Sequence, residues 1–225
     1  MQEFTLITSE GASLTAERLD VLYEKTRQMY LKDSYPWVVG FSGGKDSSAT
    51  LQLVWKALAG LPEEKRVKPV YVLSSDTLVE TPVIVDYIDQ TLDRINKASQ
   101  DQHMPFQAHK VQPEIEDTFW VNLIGKGYPA PNRSFRWCTD RLKIKPANRF
   151  ILNTAAKYGQ VVVVLGVRKD ESMTRAQSMS LAEIKGTDLR RHSTLPNAFV
   201  YAPIEDLITD EVWSYLLTVP CPWGN

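Results

Sequence analysis

Residues Ser42-Gly43-Gly44-Lys45-Asp46-Ser47 place two hydroxyls, two adjacent glycines, a cation and a carboxylate in one short run. The glycines let the backbone turn tightly. The free amides of a helix N-terminus and the Ser42 and Ser47 hydroxyls then converge on a site for a small anion, whose natural occupant is a phosphate. Lys45 adds a mobile positive charge. The run is not a Walker A loop, because Val39 and Asp46 stand where that pattern has its leading glycine and its Ser or Thr. A carboxylate beside a phosphate is repulsive unless a divalent cation bridges them, so Asp46 is the candidate ligand for a Mg²⁺ ion held by a nucleotide's phosphates.

A second group surrounds Cys138. From Lys126 to Arg149 the basic residues Lys126, Arg133, Arg136, Arg141, Lys143, Lys145 and Arg149 stand against the single acid Asp140. Cations near a thiol favour the thiolate over its ordinary pKa of about 8.5. Cys138 and Arg141 are therefore candidate catalytic groups beside Lys45 and Asp46, and Arg136, Lys143 and Lys145 are candidate contacts to an anionic substrate. A small packed core residue is the plain alternative for Cys138. Farther on, Arg168 and Arg175 flank Asp170-Glu171-Ser172 and have the guanidinium geometry to clamp a phosphate; a capped surface helix with internal ion pairs is the other reading. His103, His109 and His192 show no metal-like spacing and read as structural or exposed.

Positioning these groups requires an alternating fold. Leu19, Leu22, Tyr23 and Met29 recur at helical spacing between Thr15 and Tyr30, so an amphipathic helix precedes the first strand, Trp37 to Gly40. A helix runs from Ser47 to Leu58, and Val70 to Leu73 is the second strand. Thr81-Pro82 caps and opens a helix to about Ala98. Phe106 to Val111 is a third strand, followed by a helix near Ile115 to Leu123 and a Gly- and Pro-rich loop from Gly125 to Phe135. Pro146 to Lys157 is helical, Val161 to Leu165 a buried strand, Phe199 to Ala202 a short strand and Ile204 to Leu217 a last helix. This order predicts a doubly wound α/β fold, a parallel sheet with helices on both faces and right-handed crossovers. Ligands of such sheets sit beyond the carboxyl ends of the strands. The first loop, Ser75 and Asp76, and Gly166 to Arg168 all lie at such ends, so Ser75, Asp76 and Gly166 join the candidate nucleotide contacts.

With 225 residues, 43% hydrophobic and 24% charged, the chain is sized for one α/β core. A helical segment over residues 1–35 and a nucleotide-binding domain over 36–225 are expected. A net charge of -1 excludes a strongly basic nucleic-acid coat. No run is long enough to span a bilayer and no basic n-region opens the chain, so a cytoplasmic protein is expected. The two cysteines, Cys138 and Cys221, form no Cys-x-x-Cys pair.

The Ser42 to Ser47 signature resembles that of the PP-loop ATP pyrophosphatases, whose fold is the adenine nucleotide alpha-hydrolase-like one. The stretch Arg136 to Pro146, the run Leu165 to Ser172 with Arg175, Ser74 to Pro82 and Asn122 to Pro129 are similar to the phosphoadenylylsulfate reductase branch. Within that branch they are most like the DndC family of DNA phosphorothioation sulfurtransferases, or its counterpart in the related single-strand system. The resemblance covers nearly the whole chain after Thr15. It implies ATP attacked at the α-phosphorus with pyrophosphate leaving, DNA as the ultimate substrate, and a cysteine desulfurase and other phosphorothioation proteins as partners. It also implies a [4Fe-4S] centre in the full-length protein, with Cys138 a ligand. Two cysteines cannot supply four ligands, and the sequence stops at Asn225 as though a longer protein had been cut, so a cluster is not expected in this chain. Rival functions are a phosphoadenylylsulfate or adenylylsulfate reductase, an ATP sulfurylase subunit, and a non-catalytic ATP-binding scaffold.

Overall fold

The computed structural model describes residues 14–171, 184 and 186–224. Among them six strands form one sheet in the order β3-β2-β1-β4-β6-β5: β1 (Trp37–Gly40), β2 (Val70–Ser75), β3 (Phe106–Val111), β4 (Val161–Val164), β5 (Leu189–Arg191) and β6 (Ala198–Tyr201). All neighbours pair in parallel except β5, which runs antiparallel to β6 at the edge. The helices are α1 (Ala16–Leu31), α2 (Lys45–Ala59), α3 (Pro82–Asp101), a single turn α4 (Trp137–Thr139), α5 (Lys145–Tyr158) and α6 (Thr209–Thr218).

Period-two alternation in β1 sends Trp37 and Val39 to one face and Val38 to the other. On the first face Trp37, Val39, Val70 and Val72 pack with Leu51, Val54, Trp55 and Leu58 of α2 and Leu92 and Ile95 of α3. On the second, Val38, Leu73, Val161 and Val163 pack with Ile151 and Ala155 of α5. A third cluster joins Ala49 and Leu53 of α2 to Val212 and Tyr215 of α6. Each fully buried aliphatic side chain contributes roughly 1.5–3 kcal/mol, so helix α2, which packs in two of these clusters, is firmly held. The chain builds outward from β1 through β2 to β3, then returns to the other side of β1 as β4. The crevice at that reversal is where a doubly wound sheet accepts a ligand.

Several expectations need correction. The Thr81 hydroxyl makes no cap bond; its carbonyl instead accepts from the Ile84 and Val85 amides and closes the first turn of α3. The helix expected near Ile115 to Leu123 is a 3₁₀ turn (Ile115–Asp117) followed by a π turn (Val121–Gly125). The last helix begins at Thr209 rather than Ile204, because Ile204 and Leu207 anchor a turn in the α2–α6 cluster. Strand β5 carries no sequence signal, since Leu189-Arg190-Arg191 is short and two-thirds charged. The Thr15 hydroxyl does accept from Arg18 N–H at 3.2 Å and caps α1. Among the described residues no helix is long and apolar enough to cross a membrane.

Candidate nucleotide site

Beyond Gly40 the Phe41 amide still donates to the Leu73 carbonyl at 2.8 Å, so the loop leaves the sheet in a fixed direction. Gly43 has φ +73°, and a Cβ there would lie 2.7 Å from Ile88 Cδ1 of α3. The backbone conformation favours glycine, and a Cβ would also displace the tip of the Ile88 side chain. Gly44 is the N-cap of α2, which therefore starts two residues earlier than Ser47. Ser42 and Ser47 hydroxyls stand 3.1 Å apart; Ser47 Oγ donates to the Gly44 carbonyl (2.9 Å) and accepts from the Ser42 amide (3.2 Å). The two hydroxyls are thus held together at the positive end of a fifteen-residue helix.

Gly166, at the end of β4, approaches the same helix from the other side. A Cβ on it would come within 2.6 Å of the Asp46 carbonyl oxygen and 2.8 Å of Thr50 Oγ1. Between these strand ends opens a cleft of about 600 Å³. Ser42, Ser47, Ser74, Ser75, Asp76 and Gly166 line its polar side, Val38, Leu73 and Val163 its floor, Ile84 and Ile88 of α3 one wall, and Lys143, Ile144 and Asn148 the opposite wall. A volume of this size, with an apolar floor and polar groups gathered at the strand ends, suits a nucleotide-sized ligand.

Asp46 does not line the cleft. Its Oδ1 accepts from Arg168 Nε at 2.7 Å and its Oδ2 pairs with Lys45 Nζ at 2.5 Å. Arg168 is 2% exposed and also donates to Asp170 Oδ2, the Leu207 carbonyl and Thr209 Oγ1. The Asp46 carboxylate is thus balanced by Arg168 and Lys45, and the Arg168 guanidinium, expected to clamp phosphate, braces the loop from behind. Both Asp46 oxygens are engaged, so the donor set does not present Asp46 as a ready Mg²⁺ ligand. Among the described residues no three His, Cys, Asp or Glu side chains converge to hold an ion. Arg175 lies outside the described residues.

Asp76 is tied into the wall: it accepts from Leu78 N–H (2.9 Å) and Gln112 Nε2 (2.9 Å), with Lys110 Nζ at 3.8 Å. Lys110 is in turn bound to Asp89, whose hydrogen bond raises the lysine pKa. In the basic segment the cations divide. Arg141 pairs with Asp117 at 2.6 Å and donates to Tyr128 Oη at 2.7 Å, and Lys145 also reaches Asp117 at 3.2 Å. Burial alone would raise the Asp117 pKa, but hydrogen bonds from Lys145 and Arg141 outweigh it and hold the carboxyl below its ordinary value. Lys143 faces the cleft, and Arg136 is exposed. Cys138 is half-buried in α4 and does not line the cleft. Cys221 packs against the main core, where burial pushes its thiol pKa up. The two thiols occupy separate surroundings, so the residues present do not fit a four-ligand cluster.

His192, expected to be structural or exposed, lines the cleft with Ser193 and Thr194. Its Nδ1 accepts from the Thr194 and Leu195 amides, both at 3.3 Å, so the neutral ring carries its proton on Nε2; burial lowers its pKa and favours that form. No sequence signal marked it, because its position depends on the unrecognised strand β5.

These strand ends, the serine-glycine loop and the reversal crevice define an adenine nucleotide alpha-hydrolase-like fold. A family model, the phosphoadenosine phosphosulfate reductase domain, matches residues 36–223, and the chain belongs to that family. Among solved structures it is similar to phosphoadenylyl-sulfate reductase from Candida auris (16% identity, 94% of this chain and 91% of that one, TM-score 0.51). It is also similar to the U34-tRNA thiolase NcsA of Methanococcus maripaludis, solved with its [4Fe-4S] cluster (15% identity, 93% and 69%, TM-score 0.54). Two uncharacterized proteins of Methanocaldococcus jannaschii are 28% and 26% identical over 208 and 195 residues. The chain spans 37% and 39% of their lengths.

Proposed function

We propose that the domain binds ATP in the cleft and activates a DNA backbone phosphate for sulfur incorporation, as in the DndC family. The observation that carries the nucleotide reading is the Ser42–Ser47 loop, with paired hydroxyls and helix amides facing a nucleotide-sized cleft. Its likeness to the PP-loop signature supports cleavage between the α- and β-phosphates. An oxygen of the acceptor phosphate attacks the α-phosphorus, the bond to the β-phosphate breaks and pyrophosphate leaves. The terminal sulfur of a persulfide from a cysteine desulfurase then attacks the activated phosphorus, AMP departs with that oxygen, and a thiol reductant cleaves the remaining S–S bond to leave the phosphorothioate. Ser42, Ser47 and the α2 amides hold the departing phosphates. Lys45, released from Asp46 when an anion arrives, follows the developing charge; preorganised donors of this kind are worth about 3 kcal/mol each. Mg²⁺, where it accompanies ATP, neutralises phosphate charge. The DNA acceptor rests on the likeness of Arg136 to Pro146 to the DndC family.

Product analysis tests this reading. Incubation with ATP, Mg²⁺ and DNA should give AMP and pyrophosphate, and ADP with phosphate alone would overturn it. A second reading, reduction of a small sulfur nucleotide, is favoured by the matched family's own description. Turnover of phosphoadenylylsulfate without ATP cleavage selects it.

A further inference from the structure

Between β3 and α5, residues 112–144 build a lobe with its own aromatic nucleus. Phe119 stacks on Trp137 at 5.4 Å, Tyr128 meets Trp137 edge-on at 5.6 Å, and Trp120 stands edge-on to Phe119 at 5.1 Å. Trp137 is buried, but Trp120 is 59% and Phe135 43% exposed. An indole held against a packed ring yet open to solvent is a pre-oriented stacking surface.

The charges on this lobe are unevenly matched. Arg141 and Lys145 are occupied by Asp117, Arg149 pairs with Glu114, and Lys126 Nζ donates to the Glu116 carbonyl. Arg133, Arg136 and Lys143 are exposed and make no ion pair among the described residues. Lys143 and Ile144 also line the nucleotide cleft, so the lobe borders the site. Exposed aromatics beside unmatched cations are the combination that binds single-stranded nucleic acid, bases on the rings and phosphates on the cations.

We propose that this face docks a nucleic-acid strand, with Trp120 stacking an unpaired base and Arg133, Arg136 and Lys143 meeting backbone phosphates as the strand approaches the cleft. The proposal rests on the DNA-acceptor reading and names the surface that acceptor occupies. Anisotropy titration of a labelled short single strand, and of its duplex, tests it. The single strand binds more tightly than the duplex. Trp120→Ala weakens it about tenfold while Trp120→Phe restores most of the affinity. Arg133→Ala with Arg136→Ala flattens the slope of log affinity against log salt by about 1.4. Wild-type affinity in Trp120→Ala, equal binding of strand and duplex, or no saturable binding at low salt overturns the proposal and leaves the aromatic face to a protein partner. Pyrophosphate release measured on the same proteins separates the two readings. Release without strand binding keeps the activity and removes the surface, and strand binding here without release does the reverse.

Discussion

Arg168 holds Asp46 in place, and Asp46 sets the first turn of α2 on which the phosphate loop is built. Removing one partner of a buried ion pair leaves the other uncompensated, at a cost of roughly 3–5 kcal/mol for a fully buried pair. Asp46 keeps Lys45 and some solvent contact, so Arg168→Met should destabilise by about 3 kcal/mol, at the lower end of that range. In Asp46→Asn with Arg168→Met the stranded carboxylate is gone, so chemical denaturation should show stability partly regained while nucleotide affinity stays low. Full regain of affinity would show that the pair is purely structural. Gly166 allows a sharper comparison. Its Cβ would strike the Asp46 backbone, which cannot yield without moving the loop, whereas a Cβ at Gly127 meets nothing within 4 Å and has only its φ of +66° to oppose it. Gly127→Ala should cost about 1–2 kcal/mol. Gly166→Ala should cost more and also weaken ATP binding at least tenfold, measured by calorimetry; equal effects at the two positions would refute the close-approach argument.

At the scale of elements, the lobe over residues 112–144 is fastened through Asp117, which pairs with Lys145 at the start of α5 and with Arg141 in the segment leading into it. That leading segment is a π turn, Asp140–Ile144, which runs without a break into α5; the wider turn is a feature often found at functional sites. The Asp117 pKa is lowered in the folded protein below its ordinary 3.8. Its stabilising contribution is therefore complete above the unfolded value and is lost as pH falls through the folded one. Acid titration followed by Trp137 fluorescence should show the lobe loosening below about pH 4. In Asp117→Asn the environment of Trp137 should already be altered at neutral pH and should lack that acid step; an unchanged acid step would assign it to another carboxylate. This anchor was not legible in the sequence, because Asp117 lies more than twenty residues before its partners and periodicity says nothing about such distances. The parallel strands were legible, since Val161 to Val164 is a continuous apolar run and β1 is bounded by Pro36 and the glycine loop; the antiparallel edge strand β5 was not.

For the whole molecule, a net charge of -1 means that anion binding depends on where cations are left unmatched rather than on a general field. The sequence showed a basic segment around Cys138 but could not show that Asp117 and Glu114 consume its Arg141, Lys145 and Arg149, or that Lys143 alone of that group reaches the cleft. The phosphate loop was readable because its chemistry lies in consecutive residues; the Arg168 brace and His192 were not, because their roles arise only when distant strand ends meet. The same separation governs the thiol. Cys138 sits in turn α4, off the cleft, while the contacts described for the Ser42–Ser47 loop are made by β1, α2, α3, the end of β4 and Arg168 beyond it. Cys138→Ser should therefore leave ATP affinity within about twofold, a change of roughly 0.4 kcal/mol. If Cys138 handles sulfur, the same substitution should abolish phosphorothioate formation in the presence of the sulfur donor, read by mass spectrometry of digested DNA. Raising salt fourfold should spare ATP binding but weaken a strand held by three cations about twentyfold. Loss of ATP binding in Cys138→Ser would show instead that α4 supports the nucleotide site, and retained phosphorothioate formation would return Cys138 to a packing role.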